Sequence, residues 1–299
     1  MFWPDKSPHF LACRRATRPT PERVAVGLSG GPDSLALLAA LRAEGAAVTA
    51  LCVDHQLNPD SAAVAERAAE QAALLGATPR ILQVAVAKGK GMEAQARKAR
   101  YEALEKASRD GGVLAVGHTR DDQAETLLLS ALRGKAVGMP EWRNLGQVRL
   151  WRPLLAVSRA DTVGACKELD ISFWEDPLNN PHASRRVAIR QEIIPQLSRL
   201  IGGDAVAALA AAAAEQARDE QALGLWAEQV EELTSAPGAV RRRAIAAMLL
   251  QAGVEVKKAH LDAGEDLLCN WHGQGAVNVG NRLALVRKDG TLWLERAER

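Results

Sequence analysis

The sequence has no pair of cysteines at C-x-x-C spacing: Cys13, Cys52, Cys166 and Cys269 stand far apart. This argues against a zinc ribbon or a cysteine-held iron–sulfur cluster and reads as buried or free thiols in a reducing compartment. No apolar run reaches the ~18 residues of a membrane span. The N-terminal MFWPDKSPHF lacks the apolar centre of a signal peptide, so a cytoplasmic protein with no membrane partner is expected. Charge of either sign is not in excess: 38 Lys+Arg face 36 Asp+Glu, a net of +2. The total is therefore silent on nucleic acid, and any RNA-binding surface must come from local clusters. The last absence is a lysine. VAVGLSGGPDSLALLAAL, Val24 to Leu41, has the pattern of strand, glycine-rich turn and helix. Yet it lacks the lysine and the G-x-x-x-x-G-K-[ST] spacing of a Walker A loop.

What is present is alternation. Short β-branched runs at Val24–Leu28, Val48–Val53, Arg80–Val86 and Val113–Gly117 are separated by helical apolar spacing at Ser34–Glu44, Ser61–Leu75, Met92–Arg109 and Asp121–Leu132. A further strand is expected at Val148–Trp151. This pattern predicts an α/β fold with a doubly wound, mostly parallel, Rossmann-like sheet. Ligands of such sheets sit beyond the carboxyl ends of the strands. From Ala205 to Leu233 the chain reads as one long alanine-rich helix, with more helix at Ala239–Gln251 and around Lys257–Cys269. Alternating segments with a turn at Asp289-Gly290 follow. Residues 1–204 are thus expected to form the catalytic domain, and residues 205–299 a smaller, mainly helical one.

In the loop, Gly30 and Gly31 let backbone approach a phosphate, and the helix after Pro32 offers free N–H groups and a positive dipole end. Ser29 and Ser34 add hydroxyls. Asp33 is the informative residue. A carboxylate facing phosphates is tolerated when a divalent cation lies between them, so Asp33 points to Mg2+ shared with a nucleotide. A plain strand-to-helix turn capped by Asp and Ser is the alternative.

S-G-G-x-D-S between strand and helix resembles the pyrophosphate-loop ATPases, which cleave ATP between the α- and β-phosphates. Further stretches narrow the resemblance: VDHQLNPDSAAVAERA from Val53, EAQARKARYEAL from Glu93, GHTRDDQAETLLLSALRG from Gly117, RPLL at Arg152–Leu155 and FWEDPLNNPHASRRVAIRQEIIPQL from Phe173. Together, over roughly residues 22 to 200, they are similar to the tRNA(Ile)-lysidine synthase family. The resemblance implies an ATP-dependent ligase that joins free L-lysine to C2 of the wobble cytidine of a CAU-anticodon isoleucine tRNA. An adenylated tRNA is the intermediate, and pyrophosphate and AMP are released.

Site residues follow from this reading. Ser29 to Ser34, Asp54 and His118 are expected to bind ATP. Asp121, Asp122 and Glu125, three and four residues apart on one helix, are expected to hold the lysine ammonium and accept its proton. Asp33, Glu125 and Arg190 are the expected catalytic residues. The family carries two adjacent histidines where this chain has His118-Thr119, which leaves the second histidine's role open. Arg97, Arg100, Arg185, Arg186, Arg241, Arg242 and Lys257 are candidate tRNA contacts; solvated helix charges are the alternative for them, and a helix cap for Asp54. The segment Arg133–Pro140 reads as a mobile loop, with a plain surface loop as the alternative. The partners expected are tRNA, lysine and ATP with Mg2+, not DNA, with a homodimer left open. Rival readings are another pyrophosphate-loop tRNA-modifying ATPase and a non-catalytic tRNA-binding protein.

Overall fold

The computed structural model describes residues 3–56, 61–84, 92–174 and 185–297. Within the sequence stretches quoted above, residues 57–60 and 175–184 lie outside the described residues, as do 85 and 86 of the third expected strand.

Along β1 (Arg23–Leu28), Val24, Val26 and Leu28 alternate with Ala25, and the two sets bury on opposite faces. A strand apolar on both sides belongs at the centre of a sheet covered by helices on each face. β1 takes that place between β2 (Ala47–Asp54) and β4 (Val113–Val116), in a six-stranded sheet of order β3-β2-β1-β4-β6-β5. β3 (Thr78–Gln83) and β6 (Val148–Trp151) continue the parallel pairing. Strand order reverses between β1 and β4, so a crevice opens beyond their carboxyl ends.

One face is covered by α1 (Pro8–Ala16), α2 (Pro32–Ala43) and α6 (Arg159–Glu168), packed around Phe10, Leu35, Leu38 and Trp151. The other is covered by α4 (Met92–Ser108), whose Leu104 meets Ala25, Leu51 and Leu114. Beside Leu104, a Cβ on Gly27 would meet its Cδ1 at 3.3 Å. α3 (Ser61–Leu74) and α5 (Arg120–Ala131) begin just beyond strands β2 and β4.

Among the elements with no counterpart in the sequence reading are α1, α6 and β5 (Trp142–Leu145). β5 is a short antiparallel edge strand, and two of its four residues are exposed. Its anchor is the stack of Trp142 on Trp151, 5.1 Å between ring centroids, with Arg149 over the Trp142 ring at 4.4 Å. α1 is tied to the end of α6 by Glu168, whose carboxylate accepts the N–H groups of His9 and Phe10.

The segment 133–140 departs from a mobile loop over its second half. Gln123 donates from Nε2 to the Met139 carbonyl and accepts the Met139 N–H, at 2.7 and 2.8 Å. Gly138 lies so close to the Ala213 carbonyl that an added Cβ would sit 1.9 Å from it.

The chain divides into two compact units, Met1–Gln216 and Ala217–Arg299, and the division falls inside the helix α9 (Ala205–Gln229). The second unit contains α10 (Gly238–Gln251) and α11 (Lys258–Cys269). They pack on an antiparallel sheet of β7 (Val277–Gly280), β8 (Leu283–Lys288) and β9 (Thr291–Arg296). It is therefore a mixed helical and sheet unit, built on Ile245, Leu249, Leu267, Leu285 and Leu292. Among the described residues, no single helix is long and apolar enough to cross a membrane.

Candidate active site

The loop between β1 and α2 is internally hydrogen-bonded. Ser34 Oγ donates to the Gly31 carbonyl at 3.0 Å and accepts the Ser29 N–H at 3.2 Å, with Ser29 Oγ 3.1 Å away. Gly30 has φ +81°, a left-handed conformation that a residue with Cβ adopts at a cost. Gly31 is the N-cap of α2 and brings no side-chain acceptor, so no side chain caps the helix's first turn. The uncapped N–H groups of that turn adjoin Ser29 to Ser34, the stretch expected to meet a phosphate. Gly117, at the end of β4, lets the two backbones meet: a Cβ there would lie 2.7 Å from the Asp33 carbonyl oxygen.

Asp33 turns its side chain toward α6. One carboxylate oxygen accepts from Thr162 Oγ1 and the other from Arg159 Nε at 3.4 Å. Burial raises its pKa, and Asp122 adds to this against the opposing Arg159 and Thr162.

Arg159 is the hub. Besides Asp33 it reaches Asp122 Oδ1 with Nη2 at 3.1 Å and Glu125 Oε1 with Nη1 at 3.4 Å. Its backbone N–H donates to Asp121 Oδ2 at 2.8 Å. Burial alone would lower its pKa, but Asp122, Asp33, Glu125 and Asp121 outweigh that and raise it. Neither Arg159 nor Thr162 was legible as a site residue. The available signal was the Ser158-x-x-Asp161 capping box, which starts α6 and presents both residues on its first turn.

Glu125 is fully buried and accepts from Arg190 Nε at 2.6 Å, with Arg186 Nη1 3.7 Å from its other oxygen. Arg186 also donates to Thr126 Oγ1. Arg190 lies in a π-turn, Ile189–Ile193, between α7 (Arg185–Ala188) and α8 (Ile194–Ile201). Pro195 accounts for the widening, since it offers no N–H and its ring crowds the carbonyl four residues back. Arg185 is exposed at the start of this helix.

Thr119 stands where the family resemblance places a second histidine. It is fully buried, and its N–H and Oγ1 both donate to Asp122 Oδ2, at 2.8 and 3.0 Å. Burial pushes Asp122 upward, but Arg159 and these bonds hold it below the usual carboxylate range. His118 is held far below the ordinary histidine range by burial, with Arg152, Arg97 and Arg100 adding to it, and is neutral. Its Nδ1 is buried with no hydrogen-bond partner among the described residues.

Other expected residues go elsewhere. Asp54 Oδ1 accepts from Ser61 Oγ at 2.6 Å and from the Gln56 N–H at 2.9 Å, tying the end of β2 to the start of α3 as a cap does. Arg97 and Arg100 both lie against the Tyr101 ring, at 5.3 and 5.5 Å. In the second unit Arg241 bonds the Ala236 carbonyl and Glu265, while Arg242 bonds Asp262 and Glu265 at 2.8 and 2.7 Å. Lys257 is mostly exposed, 3.9 Å from Glu255. Burial pushes the Cys13 and Cys166 thiols up to about 12 and Cys52 to about 11, as buried thiols require.

A parallel sheet with a serine–glycine phosphate loop after its first strand, faced by acidic residues after its fourth, defines a nucleotide-binding enzyme of the pyrophosphate-loop class. The model of the PP-loop domain matches residues 9–197, and that of the TilS substrate binding domain matches residues 229–293. The chain is 52% identical to a tRNA(Ile)-lysidine synthase of Corynebacterium diphtheriae, over 97% of this chain and 98% of that one. It is 44% identical to the enzyme of that name from Corynebacterium glutamicum, over 97% and 96%. The chain belongs to the tRNA(Ile)-lysidine synthase family. Among solved structures, a U34-tRNA thiolase, NcsA from Methanococcus maripaludis, shares the fold. It has a TM-score of 0.55 and 17% identity, over 68% of this chain and 76% of that one.

Proposed function

We propose that the chain ligates free L-lysine to C2 of the wobble cytidine of the CAU-anticodon isoleucine tRNA, using ATP. The observation that carries this reading is the union of two groups at one end of the sheet. The phosphate loop Ser29–Ser34 is joined through Arg159 to the carboxylates of Asp122 and Glu125. A loop alone explains nucleotide binding; an adjoining acidic pair explains a cationic second substrate.

In the first step the cytidine C2 oxygen attacks the α-phosphate and pyrophosphate leaves. The Ser29 and Ser34 hydroxyls and the first-turn N–H groups of α2 meet the phosphates, and Arg190 stabilises the developing charge. In the second step the lysine ε-amine attacks C2 and AMP leaves. The amine must be neutral to attack, against a free pKa of about 10.4, so Glu125 or Asp122 first pairs with the ammonium and then takes its proton. Neutral His118, whose buried Nδ1 has no hydrogen-bond partner among the described residues, is the further group we assign to the nucleotide.

Mg2+ fits Asp33. Such ions are held by one or two carboxylates together with phosphate oxygens. Each Asp33 oxygen carries one bond from α6 and keeps a further lone pair. The ion would neutralise phosphate charge. Residues 1–204 carry the chemistry, and those from 205 on contact the tRNA, with exposed Lys257 as one phosphate contact.

The test is incubation with ATP, Mg2+, labelled lysine and the CAU-anticodon isoleucine tRNA. Covalent transfer of label to tRNA is expected; absence of transfer from folded protein overturns the reading.

A further inference from the structure

Arg159 is not among the residues that the loop or the acidic helix would nominate. It comes from α6, on the far side of β6 in sequence, yet its guanidinium contacts three carboxylates from two other elements. Asp33 lies at 3.4 Å, Asp122 at 3.1 Å and Glu125 at 3.4 Å, and the Arg159 backbone N–H binds a fourth carboxylate, Asp121. Arg186 pairs with Asp122 and Glu125, and Arg190 with Glu125. Arg159 thus touches both the phosphate loop and the acidic pair.

Charge decides what this means. Asp33, Asp121, Asp122 and Glu125 carry four negative charges, against three positive on Arg159, Arg186 and Arg190. Among the described residues, removing Arg159 would leave these four carboxylates with two paired arginines, and Asp33 would lose its guanidinium and keep the Thr162 hydroxyl. A nucleoside triphosphate brings several more. Repulsion among charges a few ångströms apart in a partly buried site is large compared with thermal energy. Geometry matters as well: two-point support from Arg159 and Thr162 fixes both oxygens of Asp33, as outer-shell partners fix a metal-binding carboxylate.

We propose that Arg159 is a positioning residue that couples the loop aspartate to the acidic pair of α5 and supplies the positive charge that lets the phosphate end of ATP dock beside four carboxylates. This rests on the ATP-binding part of the proposed function and is independent of which amine is the second substrate.

The experiment is calorimetric binding of ATP with Mg2+ to the full chain, with thermal melts confirming that each variant is folded. Arg159→Gln is expected to weaken ATP binding about tenfold or more, and Arg159→Lys much less, because a single compact cation keeps the charge and loses only the fork. In the Arg159→Gln background, Asp122→Asn or Glu125→Gln is expected to recover most of the affinity. A merely structural role would add damage with each substitution and recover none. Wild-type affinity in folded Arg159→Gln overturns the proposal, as does a loss that neither neutralisation relieves. Failure of the wild type to transfer lysine would sink the proposed ligase activity while leaving this binding result to be read by itself.

Discussion

Arg190 Nε donates to Glu125 Oε1 at 2.6 Å, and Glu125 is fully buried. A carboxylate in that position must stay paired, because an uncompensated buried charge is strongly destabilising. Arg190→Ala leaves Glu125 to Arg159 and Arg186 at longer range. The expected loss is about 1–3 kcal/mol of stability, read as a lower Tm, with a fall in lysine transfer. Glu125→Gln should abolish transfer with a smaller loss of stability, since its neutral amide still accepts from Arg190.

Gly117 is a steric prediction. An added Cβ would sit 2.7 Å from the Asp33 carbonyl oxygen, which is backbone and cannot swing away. Gly117→Ala must push the end of β4 from the first turn of α2. The expected cost is about 1–3 kcal/mol by chemical denaturation, with weaker ATP binding by calorimetry. Unchanged affinity would mean that the loop tolerates the displacement.

His118 makes stability depend on pH. Its folded pKa lies below the ordinary 6.5 because of burial. As pH falls below about 6.5 the unfolded chain takes up a proton that the folded chain refuses, so stability declines toward acid and is regained as pH rises past that value. His118→Asn should remove this part of the slope. Thermal melts of both proteins between pH 5 and 8 check it, the two curves being expected to diverge on the acid side.

The basic residues of the second unit separate by their partners. Arg242 is bonded to Asp262 and Glu265, so Arg242→Ala should lower Tm and leave the salt dependence of tRNA binding nearly unchanged. Lys257 is exposed, with Glu255 3.9 Å away, and Lys257→Ala should reduce the slope of log affinity against log salt by about 1. Binding titrations at several salt concentrations decide between them.

How legible the site was depended on local signals. Ser29–Ser34, Asp121, Asp122 and Glu125 lie in short motifs whose meaning comes from strand, turn and helix spacing, and the structure brings them to one place. Asp54 was legible as an acidic residue at a strand end and Arg97 and Arg100 as charges on one helix face, but their partners Ser61 and Tyr101 are matters of packing. Arg159 and Thr162 were missed because a guanidinium that joins three carboxylates across 126, 37 and 34 residues of sequence leaves no local spacing to read. β5 was missed because four half-exposed residues carry little periodicity; the stack of Trp142 on Trp151 makes it a strand.

The sequence by itself determined the parallel sheet, the phosphate loop and the acidic helix, because apolar period, glycine placement and i,i+4 spacing act over a few residues. Only the tertiary structure decided who pairs with whom. Thr119 supports Asp122 instead of acting as a second histidine, and Arg241 and Arg242 bond carboxylates of their own unit. Arg159 binds the loop to the acidic pair. Charges find partners by distance in space, and that distance exists only once the helices are laid on the sheet.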